Sequence, residues 1–517
     1  MTTDAATEPA GAPLRRGSRL GWSLAALALS LVHFLSFDAL AKPVLTDVRY
    51  FLYFAWRVAE GEAPHLDLFD PKTQLATMAG ALLFRLGSAL GVEELYAIRF
   101  GYLGFAALGA WLAFFLHRRL AKGSGAAGFA GALAVTAFGI LGELPALGNV
   151  PKLLMSVCAT GALVAIGGRR WVLAGALGSL AFLDWQIGAV VWVAAFVAAL
   201  AFGADEESGS RPGRTRRGAA GRVVLGGALG LLPFVLYLAA KGALVESVDQ
   251  AIASAFFRGS VEADSWTLAE GLRLFFAAST GAAQSQAWLF WVSFGGVGVA
   301  IRRVVRPRGS GDRLVLVPAL VLYAGVLGFN VIDLQARGDA FVVLHAMAFF
   351  LGLLAAEVVR GLEAWRPRWG ALVALLVLAL GARPASLRPD YVASWTKRTL
   401  DDQRELARIL EKKVEGRTLA VVERCEYLFL LRRVNPLPFV YWNSASWGHY
   451  RVSPDESGPD TLRRFLASSG ADAMIVNPFP QSPDRFLDYG IADPGPGWNA
   501  QLLSTRSGKA QLLLHTR

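Results

Sequence analysis

The chain has 517 residues, 54% of them hydrophobic and 18% charged, with a formal net charge of +11. A soluble domain carries about 25% charged residues, so an apolar surplus of this size in so long a chain points to a bilayer as the solvent. Nucleic acid is excluded as the target of the positive charge, because the arginines lie in short stretches between apolar runs, as the positive-inside rule predicts for a membrane protein. Two cysteines, Cys158 in an apolar run and Cys425 near the C-terminus, offer neither a disulfide pair nor a zinc ligand set.

Residues 1–19 are rich in Ala, Pro and Thr, end in Leu14-Arg15-Arg16-Gly17-Ser18-Arg19, and read as a disordered cytoplasmic tail. The first apolar run is 20–40. Ala39-Leu40-Ala41 looks like a signal-peptidase site, but the run is long for a signal peptide and further spans follow, so it reads as a membrane helix. Further runs fall near 98–117, 126–142, 150–168, 171–184, 186–203, 221–240, 285–303, 314–331, 339–359 and 368–383, giving about eleven transmembrane helices. The linkers at 117–122, 169–170, 205–222, 302–313 and 360–368 are basic, and those at 142–152, 184–186, 241–284 and 332–338 are less so. Basic loops in the cytoplasm give one winding: N-terminus inside, C-terminal domain outside, in a cell inner membrane. Segment 73–91 breaks the count, since it is apolar yet carries Arg85 at its middle. A charge there costs about 2.5–3.5 kcal/mol, and a full crossing would put 117–122 outside. It therefore reads as re-entrant or packed against other helices, the alternative being a span whose arginine snorkels.

Past 383 the pattern changes. Thr399–Val414 has helical spacing of apolar residues and a charged opposite face; Thr418–Val422, Ala473–Val476 and Gln511–Leu514 read as strands, and Thr461–Ala467 as a short helix. The chain thus divides into a tail (1–19), a membrane domain (20–383, first outward loop 41–72) and a small α/β domain (384–517). The last carries no phosphate-binding glycine loop, nucleophile elbow or HExxH. Its aromatics Trp442, Trp447, His449 and Tyr450 fit either a sugar-stacking face or ordinary packing.

The chemistry-bearing residues gather in the first loop. Asp47 follows the first span directly. Arg49, Tyr50, Tyr53, Trp56 and Arg57 recur at helical spacing, giving an amphipathic helix for the membrane interface that Gly61 ends. Pro64, Asp67, Asp70, Pro71 and Lys72 lead into the next apolar segment. A carboxylate at the membrane boundary beside arginines and aromatics suits a lipid-linked phosphosugar: the arginines for phosphate, the carboxylate for the proton of an acceptor hydroxyl.

The spacing of Asp47, Tyr50, Ala55 and Gly61, then Leu68-Phe69-Asp70-Pro71-Lys72, Phe84-Arg85-Leu86-Gly87, Ile98-Arg99-Phe100, Arg118-Arg119-Leu120 and Gly178–Gln186 resembles the GT-C glycosyltransferase superfamily over about residues 20–205. That superfamily includes dolichyl-phosphate-mannose-protein mannosyltransferases and lipid A aminoarabinose transferases. The departures are Val48 after Asp47 where an Asp-Glu pair is usual, Thr73-Gln74 after Lys72 where Pro-Pro is usual, and Asp184-Trp185 in place of a lysine before Gln186. The resemblance implies a polytopic all-α membrane fold with Asp47 as catalytic acid–base residue. It implies Lys72 as a donor-phosphate ligand and Asp184 and Gln186 beside the outward cavity. Glu143 and Lys152 flank the outward 142–152 loop, as cavity residues or as solvated helix ends. Asp333 and Arg337 flank another outward turn, as a surface ion pair or, for Arg337, a donor ligand. The expected reaction moves a sugar from a polyprenyl-phosphate donor to a glycan, lipid or protein acceptor of the cell envelope. No cofactor is assigned; a divalent metal, which some members of the superfamily use, is compatible. The alternatives are a transporter or flippase of lipid-linked glycans, or a non-catalytic assembly partner.

Overall fold

Long runs of Ala, Leu, Val and Phe form helices here because a bilayer leaves backbone N–H and C=O groups no partners but each other. The computed structural model describes residues 16–45, 47–70, 72–203, 212–253, 267–332, 339–366, 398–440, 456–476 and 496–517, with isolated residues 369, 370, 372, 449, 450, 452, 453 and 494. Helices α1 (Arg16–Leu35), α2 (Val48–Ala59), α3 (Leu75–Leu90) and α4 (Glu94–Leu120) are followed by α5 (Gly125–Thr136), α6 (Ile140–Leu147), α7 (Pro151–Gly167) and α8 (Trp171–Asp184). Then come α9 (Ala189–Phe202), α10 (Pro212–Ala240), α11 (Leu244–Val248), α12 (Leu268–Ala283), α13 (Ala287–Val305), α14 (Ser310–Ile332) and α15 (Ala340–Trp365).

This is a multi-pass membrane protein. Among the described residues, five stretches are long and apolar enough to cross a membrane: Glu94–Leu120, Thr215–Ala240, Leu268–Val305, Gly311–Ile332 and Ala340–Trp365. The pair α5–α6 makes a sixth if it counts as one span, though it bends by 60°. Five other apolar helices are shorter. Of the eleven spans expected, five or six are helices of full length among the described residues. The run at 126–142 is no simple span, because the helix breaks at Ala137–Gly139 and resumes as α6 with Pro145 inside it. The runs at 171–184 and 186–203 are two 14-residue helices, α8 and α9, separated at Trp185–Gly188. At 1.5 Å per residue each is about 21 Å long, short of the roughly 30 Å of hydrocarbon. Most of the run at 368–383 lies outside the described residues.

Polar side chains lock the helices where backbone groups are exposed. Arg85 is exposed and has a partner within the protein. It donates Nε (3.0 Å) and Nη2 (2.7 Å) to the carbonyl of Ala59, at the C-terminus of α2, where a cation complements the helix dipole. Arg303 pairs with Asp312, lies 3.0 Å from Glu357 and donates to the Leu120 carbonyl at 2.6 Å, so the 302–313 loop is knitted to α4 and α15. Arg99 on α4 has no exposed surface. Its guanidinium donates to Ala39 (2.6 Å), Lys42 (2.7 Å) and Leu147 (3.1 Å). One side chain thereby fixes the exit from α1 and the end of α6.

The C-terminal α/β unit contains α16 (Leu400–Lys413), β1 (Leu419–Val421), α17 (Glu426–Leu431), α18 (Gly458–Ser468), β2 (Ala473–Val476), β3 (Asn499–Ser504) and β4 (Gln511–Thr516). The sheet order is β1-β2-β4-β3. β1 and β2 are parallel, with Ala420 opposite Met474, and the other pairs are antiparallel. A capping box of Thr399 and Asp402 starts α16. β3 went unread in the sequence because, apart from Leu503, its residues face solvent and show no apolar alternation. The unit packs on the first loop: Gln403 exchanges two hydrogen bonds with the backbone of Val44, at 2.7 and 2.9 Å, and the Ala41 carbonyl accepts from Leu400 N–H.

Replacing Arg99 by Met keeps the volume and strands three buried carbonyls. We expect a loss of at least about 2 kcal/mol, read as a lowered thermal midpoint in detergent, with Arg99→Lys restoring only part of it because one ammonium does not match the three-way fork. An unchanged midpoint for Arg99→Met would show that the carbonyls find other partners.

Candidate functional site around the first loop

The helix of the first loop is covered by protein on all its faces. Every residue from Val48 to Val58 is buried, because α2 is covered by α3 on one side and the C-terminal unit on the other. Gly80 on α3 allows that approach: a Cβ there would stand 2.8 Å from Ala55 and 2.7 Å from the Asn149 amide. From the C-terminal unit, Asn435 N–H donates to the Tyr53 hydroxyl at 3.0 Å. Gly61 ends α2 with a positive φ of 110°.

Asp47 stands at the N-terminus of α2. Its carbonyl accepts from the N–H groups of Tyr50 (3.0 Å) and Phe51 (3.3 Å), yet its side chain makes no capping hydrogen bond. Aspartate in this position ordinarily caps the helix. Here the half-buried carboxylate is not engaged in that role, and its charge reaches Glu423 of the C-terminal unit. Arg49, two residues on, is buried. It donates to the Tyr50 hydroxyl at 3.0 Å, with its guanidinium 4.9 Å from the centre of that ring. Its Nε has no hydrogen-bond partner among the described residues. Glu423 and Glu426 balance its charge, and Arg424 forms a buried 2.7 Å pair with Glu426. Burial pushes the Glu423 carboxyl up, against the pull of Arg49 and Arg424. These C-terminal partners were not among the residues singled out in the sequence; ERCE, with charge inside an otherwise apolar stretch, was the available signal.

The entry to α3 and the end of α8 meet on a second group of contacts. The Lys72 N–H donates to Asp70 Oδ1 at 2.9 Å, and Thr73 Oγ1 donates to the Phe182 carbonyl at 3.0 Å. Gln186 donates to Ala251 at 2.9 Å. Gln250 then accepts from Asp70 N–H (3.1 Å) and donates to the His65 carbonyl (2.7 Å). Gln74 Nε2 reaches His65 Nε2 at 2.7 Å and Ser247 Oγ at 3.0 Å. The first loop, the turn after α8 and the segment after α10 are therefore one laced wall. Gln250, His65, Gln74 and Ser247 were missed in the sequence because single neutral polar residues carry no spacing signal.

Asp184 has no exposed surface. Its Oδ2 accepts from Met155 N–H at 2.7 Å, in the first turns of α7, and its Oδ1 has no hydrogen-bond partner among the described residues. Lys152, one turn earlier on α7, forms a buried ion pair with Asp339 and sits 5.0 Å from the centre of the Trp185 ring. Glu143 lies buried within α6, so it is no solvated helix end. Asp333 and Arg337 lie outside the described residues, as do Trp442 and Trp447; Asp339, the last acid of the same stretch, is the partner Lys152 finds. Cys158 and Cys425 are both free and buried.

Burial raises the Asp70 carboxyl to about 7 and lowers the His65 imidazole to about 4. From about pH 4 to 7 the folded chain holds a proton on Asp70 that the unfolded chain has released, so this contribution to stability falls as pH rises. From about pH 4 to 6.5 the unfolded chain holds a proton that His65 lacks when folded, so that contribution rises with pH. The two slopes oppose each other. Relative to the parent, we expect the stability of Asp70→Asn to climb from about pH 4 to 7 and that of His65→Gln to fall from about pH 4 to 6.5, in unfolding measured in detergent. Parallel profiles for parent and variants would contradict this assignment.

No protein-family model matches the sequence, and no curated protein does. Solved structures do match. ArnT from Cupriavidus metallidurans in the apo state aligns with TM-score 0.58 at 15% identity, covering 96% of this chain and 98% of that one. The same protein bound to undecaprenyl phosphate aligns with TM-score 0.58 at 15% identity over 97% and 98%. The archaeal oligosaccharyltransferase AglB from Archaeoglobus fulgidus, in complex with an inhibitory peptide and a dolichol-phosphate, aligns with TM-score 0.54 at 13% identity, covering 90% of this chain and 70% of that one. Likeness at this level of identity speaks for the fold: the chain has the fold of the GT-C glycosyltransferases ArnT and AglB.

Proposed function

We propose that the protein is a membrane glycosyltransferase that moves a sugar from a polyprenyl-phosphate donor to a cell-envelope acceptor on the outer face of the inner membrane. The observation that carries this reading is Asp47, a carboxylate at a helix N-terminus with no capping bond, set in a fold shared with a structure that holds undecaprenyl phosphate. In the proposed step an acceptor hydroxyl attacks the anomeric carbon from the face opposite the phosphate. The carbon–oxygen bond to the carrier breaks, polyprenyl phosphate leaves, and Asp47 takes the hydroxyl proton. Arg49 and Lys72 hold the phosphate, with Arg337 a further phosphate ligand. Asp184 and Gln186 act as positioning residues: the first joins α8 to α7, and the second joins the turn to the segment after α10. The acceptor is a glycan, a lipid or a protein.

The Asp47→Asn variant keeps size and removes charge. We expect it to accumulate like the parent and to lose transfer by at least about 100-fold, in an assay of purified protein against a panel of polyprenyl-phosphate sugars. Lys72→Ala raises the donor KM more than it lowers kcat, since it removes one of several phosphate contacts. Parental rates for Asp47→Asn would remove the first loop from catalysis. A parent inactive across the whole panel would move the flippase or assembly-partner reading ahead.

The winding makes a separate prediction. With the basic loops inside, a cysteine in place of Ser208 is protected from an impermeant thiol reagent in intact cells, and one in place of exposed Lys509 reacts. The reverse pattern would place the C-terminal unit in the cytoplasm.

A further inference from the structure

Where the segment after α10 meets the C-terminal unit, three potential ligands converge. Glu246 on α11, Asp249 at the head of the following π-turn and His449 each bring one ligand atom into a group whose members lie within 4.8 Å of one another. His449 Nδ1 is 3.3 Å from Asp249 Oδ2. Glu246 and Asp249 are three residues apart, which sets both carboxylates on one face of a helical turn. The imidazole comes from far along the chain, so only the tertiary fold assembles the set.

Two features argue against accidental proximity. The His449 ring is held by neighbours, 5.2 Å from the Phe69 ring and 4.8 Å from that of Tyr450 in a T-shaped contact. Its nitrogen is therefore aimed rather than free to turn. The other side is anchored as well: Gln250, next to Asp249, is buried and bonded to both Asp70 and His65, so the ligand-bearing turn is fixed to the first loop. Among the described residues neither carboxylate is paired with lysine or arginine. Two carboxylates this close repel unless a cation lies between them.

We infer that Glu246, Asp249 and His449 form a binding site for a divalent metal ion. One imidazole nitrogen and two carboxylate oxygens suit zinc or manganese. Three protein ligands leave at least one coordination position for water or a phosphate oxygen. The ion clamps the segment after α10 to the C-terminal unit, beside the Phe69 side chain that enters the core of that unit. The inference does not depend on the transfer reaction, and its test reads metal rather than turnover.

The full chain, purified in detergent and stripped with a chelator, is titrated separately with zinc and with manganese by calorimetry, and its metal content is measured after dialysis. One equivalent of one of these ions is expected, with a rise in thermal midpoint on loading. Asp249→Asn alters an exposed carboxylate and leaves the packing intact; it lowers affinity at least about tenfold. His449→Ala does the same, whereas Glu411→Gln, an exposed acid on α16, does not. If His449→Ala fails to fold, Asp249→Asn alone decides. Absence of stoichiometric binding to the stripped parent, or undiminished binding by Asp249→Asn, overturns the site.

Discussion

The buried guanidinium of Arg99 is the constraint on which the first loop depends. A charge with no exposed surface is costly unless its donors are met, and here three backbone carbonyls meet them. Those carbonyls belong to places where helices stop, at Ala39 and Lys42 beyond α1 and at Leu147 ending α6, and each would otherwise be an unsatisfied acceptor in an apolar surrounding. The planar fork of arginine holds donors on three separated nitrogens, a spread that the single nitrogen of lysine does not match. With the chain pinned at Lys42, Gln403 takes up the backbone of Val44 and α2 begins three residues on from Leu45. The position of Asp47 follows from that sequence of attachments.

The first loop is enclosed rather than laid on a lipid surface. Phe69 enters the same core as Ala420, Leu437, Phe439, Leu462 and Met474, and its N–H donates to the Pro438 carbonyl at 3.0 Å. The C-terminal unit thus acts as a roof over the loop. Its charged stretch supplies Glu423, Arg424 and Glu426 around Arg49. Enclosure weakens the competition of water for charges. The carboxylates nearby make a buried arginine tolerable in such a place.

Buried polar atoms without partners mark the same region. Asp70 Oδ2, His65 Nδ1, Asp184 Oδ1 and both side-chain polar atoms of Asn149 make no hydrogen bond among the described residues. Each such atom costs about 1–3 kcal/mol, so a fold selected for stability alone has reason to remove them. These atoms lie where α3, α7, the Asp184 turn and the first loop meet. Lys152, held between Asp339 and the Trp185 ring, brings a positive charge to the same wall.

Much of the architecture was legible in the chain. Apolar runs gave the helices, because a helix is the cheapest way to satisfy a backbone in lipid, and period-two or short apolar runs gave β1, β2 and β4. Gly61 marked the end of α2, and the Asp184–Gln186 interruption marked a break between two short helices. The charge pattern also led to Asp47, Arg49 and Lys72 as residues worth attention. Other features are set by distance in space rather than in sequence. The 60° bend between α5 and α6 depends on packing that a hydropathy window does not see. Arg85 looked like a misplaced mid-membrane charge until the Ala59 carbonyl supplied its partner. The burial of α2 needed both α3 and a unit more than 300 residues later; an amphipathic pattern states that one face is apolar, not what covers the other. Pairings such as Lys152 with Asp339, Gln250 with Asp70 and Asp249 with His449 join positions that no local period relates, so composition and spacing determined the membrane class and the candidate loop, while the tertiary fold alone decided which side chains meet.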